Sequence, residues 1–583
     1  MFDQEKEYLI SQLENHCKQN GLPTGKLEWR AIPFSGEWGI AIPLFPLAAA
    51  DTNRKGPVPE HAMKLAELMK ASLGQPAGFS RVEAVRGYLN FYFLTSQYAA
   101  RVVDEVIDLN GKHGFAPLSG KASMVEYSNP NTHKPLHVGH LRNVILGGAV
   151  CNILEASGKP IIRANYIGDI GLHVIKWMCN YERYHQGEEP GEDKMRWMAD
   201  LYAEADKRFV SDPEFEAEVR AYFARWDAGD PHVFALWEQT RDWSMQGFLQ
   251  VYELLGEHFD RIYFESDVEE SGKVLVDDLI RRGLAEDGRP ENPVIIDLDK
   301  MLGTNEEYRV VVVLRSDGTS LYATKEIPLA IMKFDEYDLD KSIYVIDVRQ
   351  SLHIKQIRKV LELMGYPWAE RIHHLAYEIV NLPGNITMSS RDGTVVFLDD
   401  LIREATERAF VIVKEKNPEL ALETAEEVAQ AVALGAIKYP MIARENTKIV
   451  TFDWDSALDF NGQSAPYIQY AFVRANSILR RIENQIPEKG GFDHELHPSE
   501  VNLIELISRL PEEVQRAARD LKPSLIASYA YDLAKAFNDF YNQCQVIKAE
   551  GSTRESRLRL VEASRLTIEG VLKLIGIKAP PLM

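Results

Sequence analysis

Residues 126–142 read EYSNPNTHKPLHVGHLR, and this stretch constrains the rest of the chain more than any other. A short apolar strand is expected before it, at residues 122–125, and a long helix after it, at residues 141–156. Pro130 and Pro135 restrict the turn between them and disfavour helix before it. Strand, rigid turn and helix N-terminus together make an anion site, because the first N–H groups of a helix lack internal partners. Gly139 has no side chain, so a flat base or a ribose can approach the backbone closely there. His137 and His140 stand three apart, and a first helical turn aims both at one spot. Imidazoles there can donate to phosphate oxygens without a fixed charge. Taken alone, the tetrad HVGH fits a turn with two solvated histidines equally well.

The chain is long enough, at 583 residues, for several domains. Its four cysteines, Cys17, Cys151, Cys179 and Cys544, are scattered without a CxxC pair. That argues against a zinc ribbon or a disulfide framework and suits a reducing cytosol, so a cytoplasmic location is expected. No apolar run is long enough to span a bilayer, so no membrane role is expected. The first residues are acidic and amphipathic rather than a signal peptide. A net charge of −21 argues against nucleic-acid binding at first sight. The charge is uneven, however: residues 466–583 hold 16 Lys+Arg and 15 Asp+Glu, a net +1, and the remainder is −22. Local basic patches on an acidic chain can still take RNA.

Residues 1–118 read as an N-terminal α+β module. Helices are expected at 2–19, 61–72 and 98–109, and a half-buried strand at 87–94. Asn90 lies in that strand among aromatics; it is either structural or part of a surface for unpaired bases. Residues 119–400 alternate strand and helix. A second strand is expected at 160–166, followed by Gly168-Asp169-Ile170-Gly171 at a strand end, where parallel sheets place ligands. Residues 176–255 read as a helical insertion, giving inserted segments at about 180–258 and 285–315. Further strands are expected at 259–265, 294–297, 309–314, 342–346 and 372–379. The loop 385–393 is flanked by Gly384 and Gly393 and suits a mobile phosphate lid. Residues 401–583 read as almost wholly helical.

Taken together, these motifs resemble one family, the arginyl-tRNA synthetases of class I. HVGH at 137–140 is similar to the first signature of that class, and MSSR at 388–391 to the second. YIQYAFVRA at 467–475 and GIKAPPLM at 576–583 are similar to the family's anticodon-binding domain. The resemblance implies a multidomain α/β protein. A Rossmann-like parallel-sheet catalytic domain would stand between the N-terminal module and a C-terminal all-α anticodon-binding bundle. It implies activation of L-arginine by ATP, with Mg²⁺ accompanying the nucleotide, and transfer to the 3′ end of tRNA(Arg). Positioning and charge stabilisation, not a covalent nucleophile, drive such steps. His137, Gly139, His140, His353, Met388, Ser389 and Ser390 would hold ATP. The second signature lacks the lysine of the wider class, and Asp392 follows Arg391, where that class has a basic residue. Lys134 matches the family's compensating lysine, so it takes the main cationic role, with Arg391 second.

A guanidinium requires carboxylates, best in a two-pronged arrangement. By the family pattern Glu265 and Glu326, with Tyr322 beside them, would take the guanidinium. Glu126, Asn131 and Gln350 would hold the α-amino and carboxylate end. Glu326 stands where the family usually has aspartate, and it could instead cap its helix. Asp169 and His353 are either nucleotide neighbours or satisfied structural residues. Tyr470 could stack on an anticodon base beside Met583, or be bundle core. Arg474, Arg480 and Arg481 point to phosphate contact, and Phe537, Phe540 and Tyr541 to core. A monomer is expected, with no dedicated metal site. The alternatives are a class I synthetase for another amino acid and a tRNA-binding paralogue without catalysis.

Overall fold

The computed structural model describes residues 2–24, 27–32, 38–303, 306–382, 386–387 and 398–583. Its centre is a five-stranded parallel sheet. In chain order the strands are β1 (Ser123–Glu126), β2 (Ile161–Ile167), β3 (Arg261–Phe264), β4 (Lys341–Asp347) and β5 (Ile372–Tyr377), and in space they run β5-β4-β1-β2-β3. All four residues of β1 are buried, as a strand covered on both faces requires. The spatial order reverses direction between β1 and β4, and crevices at such switch points bind ligands. Register places Glu126 of β1 beside Tyr344 of β4 on one side and Ala164 of β2 on the other.

Helix α1 (Val138–Ala156) follows β1 and is buried nearly all round, because the sheet and the C-terminal helices pack on it from different sides. Two adjacent glycines make this possible. A Cβ on Gly147 would fall 2.3 Å from the Tyr127 ring, and one on Gly148 1.9 Å from the Glu257 carboxylate. The helix begins three residues earlier than its apolar pattern suggests. His137 is the N-cap, and its ring Nδ1 accepts from the Gly139 N–H, so a side-chain cap extends the helix into the turn.

The remaining elements that build the site are α2 (Glu265–Arg281), α3 (Tyr322–Glu336) and α4 (Ser351–Met364). The region expected as a helical insertion holds Leu172–Tyr184, Lys194–Ser211, Pro213–Asp227 and Pro231–Leu255. A small antiparallel sheet joins Glu286–Asp287, Val294–Asp297 and Val310–Leu314. Two expectations need correcting. The strand expected at 259–265 stops at Phe264, and Glu265 opens α2 instead. The strand expected at 372–379 stops at Tyr377, and Val380–Leu382 pairs in parallel with Val450–Thr451. That pairing sets a short strand inside a region read as helical, since two residues carry no periodicity.

The first hundred residues form a four-stranded antiparallel sheet under the helices Asp3–Gln19, Val58–Leu73 and Thr95–Asp108. At the other end, helices from Leu398–Lys416 to Gly551–Leu574 pack as a bundle. The tail after the last helix folds back on it: Gln469 Nε2 donates to the Lys578 carbonyl at 2.8 Å.

Candidate active site

A cavity of about 490 Å³ opens at the carboxyl ends of β1 and β4. Its lining includes Glu126, Asn131, Glu265, Tyr322, Glu326 and Gln350, the six residues nominated for the amino acid. They come from β1, the turn after it, and the starts of α2 and α3, plus the turn before α4. Tyr322 stands at the mouth, 73% exposed. His353, nominated for ATP, lines the same cavity.

Each carboxylate in the cavity has a nitrogen partner, two of them lysines and one a histidine. Glu126 pairs with Lys333 and accepts from Asn129 Nδ2 at 3.2 Å. The Glu126–Lys333 pair is sealed, at 2% and 0% side-chain exposure. Burial opposes the Lys333 charge, but Glu126, and Tyr344 with its ring 4.1 Å away, more than offset it and hold the ammonium above its usual range. Glu265 pairs with Lys325 at 2.9 Å; burial pushes its carboxyl up, and Lys325 opposes this in part. Glu326 accepts from His353 Nε2 at 2.7 Å. At the start of α3 it is Thr324 Oγ1 that takes the Leu321 N–H.

Beside the cavity the signature turn is strained. Ser128, Asn129 and His133 all have positive φ, at 76°, 47° and 63°. Each such residue costs on the order of 1–3 kcal/mol and persists only where its surroundings over-determine it. They do so here. The Ser128 N–H donates to Asn143 Oδ1 at 2.5 Å, the Asn129 N–H to Asn165 Oδ1 at 3.1 Å, and the His133 N–H to Ser244 Oγ at 3.0 Å. The turn owes its rigidity to these distant partners as well as to its prolines. His133 is wholly buried and neutral, its pKa pushed down to about 3.

The two signature histidines lie with ring centroids 4.0 Å apart. His137 Nδ1 accepts from the Gly139 N–H at 3.1 Å, and His140 Nδ1 accepts from the His137 N–H at 3.3 Å. With Nδ1 occupied as acceptor, the neutral tautomer carries its proton on Nε2. Burial holds both rings below the usual histidine range, His140 further through His137 and Lys134, which favours the neutral form with its Nε2–H free to donate. Gly139 serves His137 directly: a Cβ there would lie 2.9 Å from the ring Cε1. Gly139→Ala should therefore swing the His137 ring away and slow the reaction run at this site by about tenfold or more, with the thermal unfolding profile unchanged. Steady-state kinetics and differential scanning calorimetry check this.

Lys134 is half-buried, with its ammonium 5.7 Å from the Tyr202 ring centre. Burial, then the neighbouring Lys176, hold it below the usual lysine range. Asp169 is a structural residue. It is wholly buried, accepts from the Ser266 backbone and hydroxyl, and pairs with Arg241 at 3.3 Å. Met388, Ser389, Ser390, Arg391 and Asp392 lie outside the described residues. The root of that segment is fixed by Arg142 of α1, which donates to the carbonyls of Glu378, Ile379 and Lys448.

A second cavity, about 570 Å³, lies in the C-terminal bundle and is lined by Tyr470, Arg474, Arg481, Tyr541 and Met583. The Arg474 guanidinium sits between two rings, 4.9 Å from Tyr470 and 4.6 Å from Tyr541. Arg480 donates to the Pro581 carbonyl at 3.1 Å instead. Phe537 and Phe540 are core, but Tyr541 is 40% exposed, which corrects the expectation of a core residue. It follows Phe540 by one position and so points off the buried stripe. Asn90 is 8% exposed in a central strand, so Tyr88 is the more accessible residue of that face.

Lys325, Lys333, Asn143 and Asn165 escaped the sequence reading. Lys333 is 207 residues from its partner Glu126, and no local pattern links them.

The strand order and the paired histidines at the first helix N-terminus fit the family model described as tRNA synthetases class I (R), catalytic domain, which matches residues 103–454. A DALR anticodon binding domain model matches residues 468–583. An arginine–tRNA ligase of Treponema pallidum is 34% identical over 582 residues, covering 97% of this chain and 96% of that one. One of Clostridium botulinum is 34% identical over 555 residues, 94% of each. The solved arginyl-tRNA synthetase of Thermus thermophilus superposes with a TM-score of 0.82 at 29% identity, covering all of both chains. That of Plasmodium falciparum superposes with a TM-score of 0.77 at 18% identity and shows the shared fold, covering 100% of this chain and 99% of that one. The chain belongs to the arginyl-tRNA synthetases.

Proposed function

We infer that the chain joins arginine to tRNA at the expense of ATP. In the first step an oxygen of the arginine carboxylate bonds to the α-phosphorus of ATP and the bond to pyrophosphate breaks. In the second a ribose hydroxyl of tRNA bonds to the arginyl carbonyl carbon and AMP leaves. The observation that carries the amino-acid assignment is the convergence of Glu265 and Glu326 on one cavity at the switch point. Two carboxylates from facing helices suit a planar, doubly donating guanidinium.

In this reading Glu126, Asn131 and Gln350 take the amino-acid end, and Tyr322 closes over the side chain. His137 and His140 donate to phosphate, Lys134 neutralises it, and Arg391 with the 388–390 segment covers the nucleotide. Mg²⁺ arrives with ATP, held mainly by phosphate oxygens. Among the described residues no cluster of three or more histidine, cysteine or acidic groups forms a metal cage. Residues 1–118 and 401–583 contact tRNA, around a catalytic unit at 119–400. The enzyme acts as a monomer in the cytoplasm.

Pyrophosphate exchange with each amino acid, with and without tRNA, tests the function. Exchange should require arginine and tRNA. Exchange with lysine or cysteine would assign the chain to another amino acid, and none from folded protein would make it an inactive tRNA binder. Tyr470→Ala should raise KM for tRNA by about 5- to 100-fold, the worth of one stacked base. KM for arginine should stay unchanged, as separate titrations of the two substrates will show.

A further inference from the structure

The three carboxylates of the amino-acid cavity differ in what holds them. Glu126 and Glu265 are held by the lysines Lys333 and Lys325. Glu326 is held by an imidazole, His353 Nε2 at 2.7 Å. A histidine is the side chain that changes charge between about pH 5 and 8. Its place makes the charge conditional. His353 is the third residue of α4, in the first turn, where the helix dipole disfavours a cation. On the cavity side the Glu326 carboxylate, at hydrogen-bond distance, is what favours the proton most directly. An arriving guanidinium brings a second cation to that same carboxylate, and like charges at such range oppose one another.

We propose that His353 is a proton-exchanging partner of the guanidinium carboxylate: it holds Glu326 in the empty cavity as an imidazolium and gives its proton to solvent when arginine binds. The inference rests on Glu326 as a guanidinium ligand. The neutral ring keeps its Nε2–H on one carboxylate oxygen and leaves the other to the substrate. His353 thus belongs to the amino-acid site rather than to ATP.

The surroundings agree. Burial alone pushes the His353 ring down, and the hydrogen bond and charge of Glu326 more than offset this and hold it above the usual histidine value. The other ionisable groups on the elements packed against α4 are engaged elsewhere or exposed. Asp347 pairs with Arg349 at 2.8 Å, His374 bonds the Ile346 carbonyl at 3.0 Å, and Arg371 bonds the Leu339 carbonyl at 3.1 Å. Asp299 accepts from the Tyr308 and Arg309 N–H groups, and Lys300 pairs with Glu286 at 2.7 Å. On α3, Lys333 closes on Glu126 and Glu336 on Arg261, while Asp335 is exposed, as are Glu370 and His373. On α4 itself, Lys355 pairs with Glu306 at 3.3 Å, and Arg358 and Lys359 with Glu362.

The sign follows. The free protein holds the proton up to a raised pKa, and the arginine complex holds it less firmly. Arginine binding therefore tightens as pH rises through the His353 range, by at most about tenfold per unit, and levels off above it. Titration calorimetry of arginine into the full chain near neutral pH, in phosphate and in Tris, counts protons from the difference in heat. Wild type should release up to one proton, and H353Q should release none at whatever arginine affinity it retains. The wild-type pH series provides the same test without any variant. Arginine bound with no proton released, or equal release by H353Q, overturns the proposal and leaves the function intact. A folded wild-type chain that binds no arginine overturns both.

Discussion

Replacing Lys134 with alanine lowers the rate of aminoacylation by about two to three orders of magnitude, the worth of one preorganised charge-stabilising donor. The melting profile stays in place. Lys134 is half-buried on the turn that leads into His137 and His140, its ammonium 5.7 Å from the Tyr202 ring centre, with Asp206 and Glu265 acting on it through charge. A cation kept partly desolvated, beside a second lysine, fits a site whose anion arrives with the substrate. Burial holds both signature imidazoles below the usual histidine range, which favours donation to phosphate over neutralising it. The second signature segment carries no lysine. The proposed function therefore gives Lys134 the main cationic role, with Arg391 second. Rapid-quench measurement of adenylate formation reads the effect at the chemical step, and an unslowed variant would remove Lys134 from the mechanism.

The second large effect is on stability. Glu126→Ala leaves the Lys333 ammonium at 0% exposure with no carboxylate, and breaking one partner of such a pair costs about 3–5 kcal/mol. Loss of arginine binding should accompany it, because Glu126 lines the cavity. The double change Glu126→Gln with Lys333→Met separates the two roles. It removes both charges, so most of the stability should return. Arginine affinity should not return, because the anion proposed to face the α-amino group is still missing. Calorimetric unfolding alongside arginine titration of the three proteins gives the comparison. A stable Glu126→Ala chain would mean that Lys333 finds another acceptor.

How legible all this was in sequence depended on range. The strands of the parallel sheet are short apolar runs between helical periods, and they stand within a few residues of where those runs predict. The six amino-acid candidates were taken from the family pattern, three of them also from their places at strand ends, and the fold brings all six to one cavity. Partners were not legible. Lys333 reads as an ordinary polar position in α3, and only the register of β1 against β4, with α3 packed over them, brings it to Glu126. The same holds for His353, whose link to Glu326 depends on how α3 and α4 lie together. The turn's rigidity was credited to its prolines, whereas Asn143 and Asn165 fix its strained backbone from α1 and β2. Tyr541 was misread because one residue of phase separates a core position from an exposed one on a helix.

The account turns on a guanidinium lying between Glu265 and Glu326. A crystal structure of the protein with L-arginine tests it most directly. The side chain should enter past Tyr322 and donate to both carboxylates, with the amino-acid end near Glu126, Asn131 and Gln350. An arginine seated in this cavity with its guanidinium turned away from Glu265 and Glu326, or seated elsewhere in the chain, would contradict it.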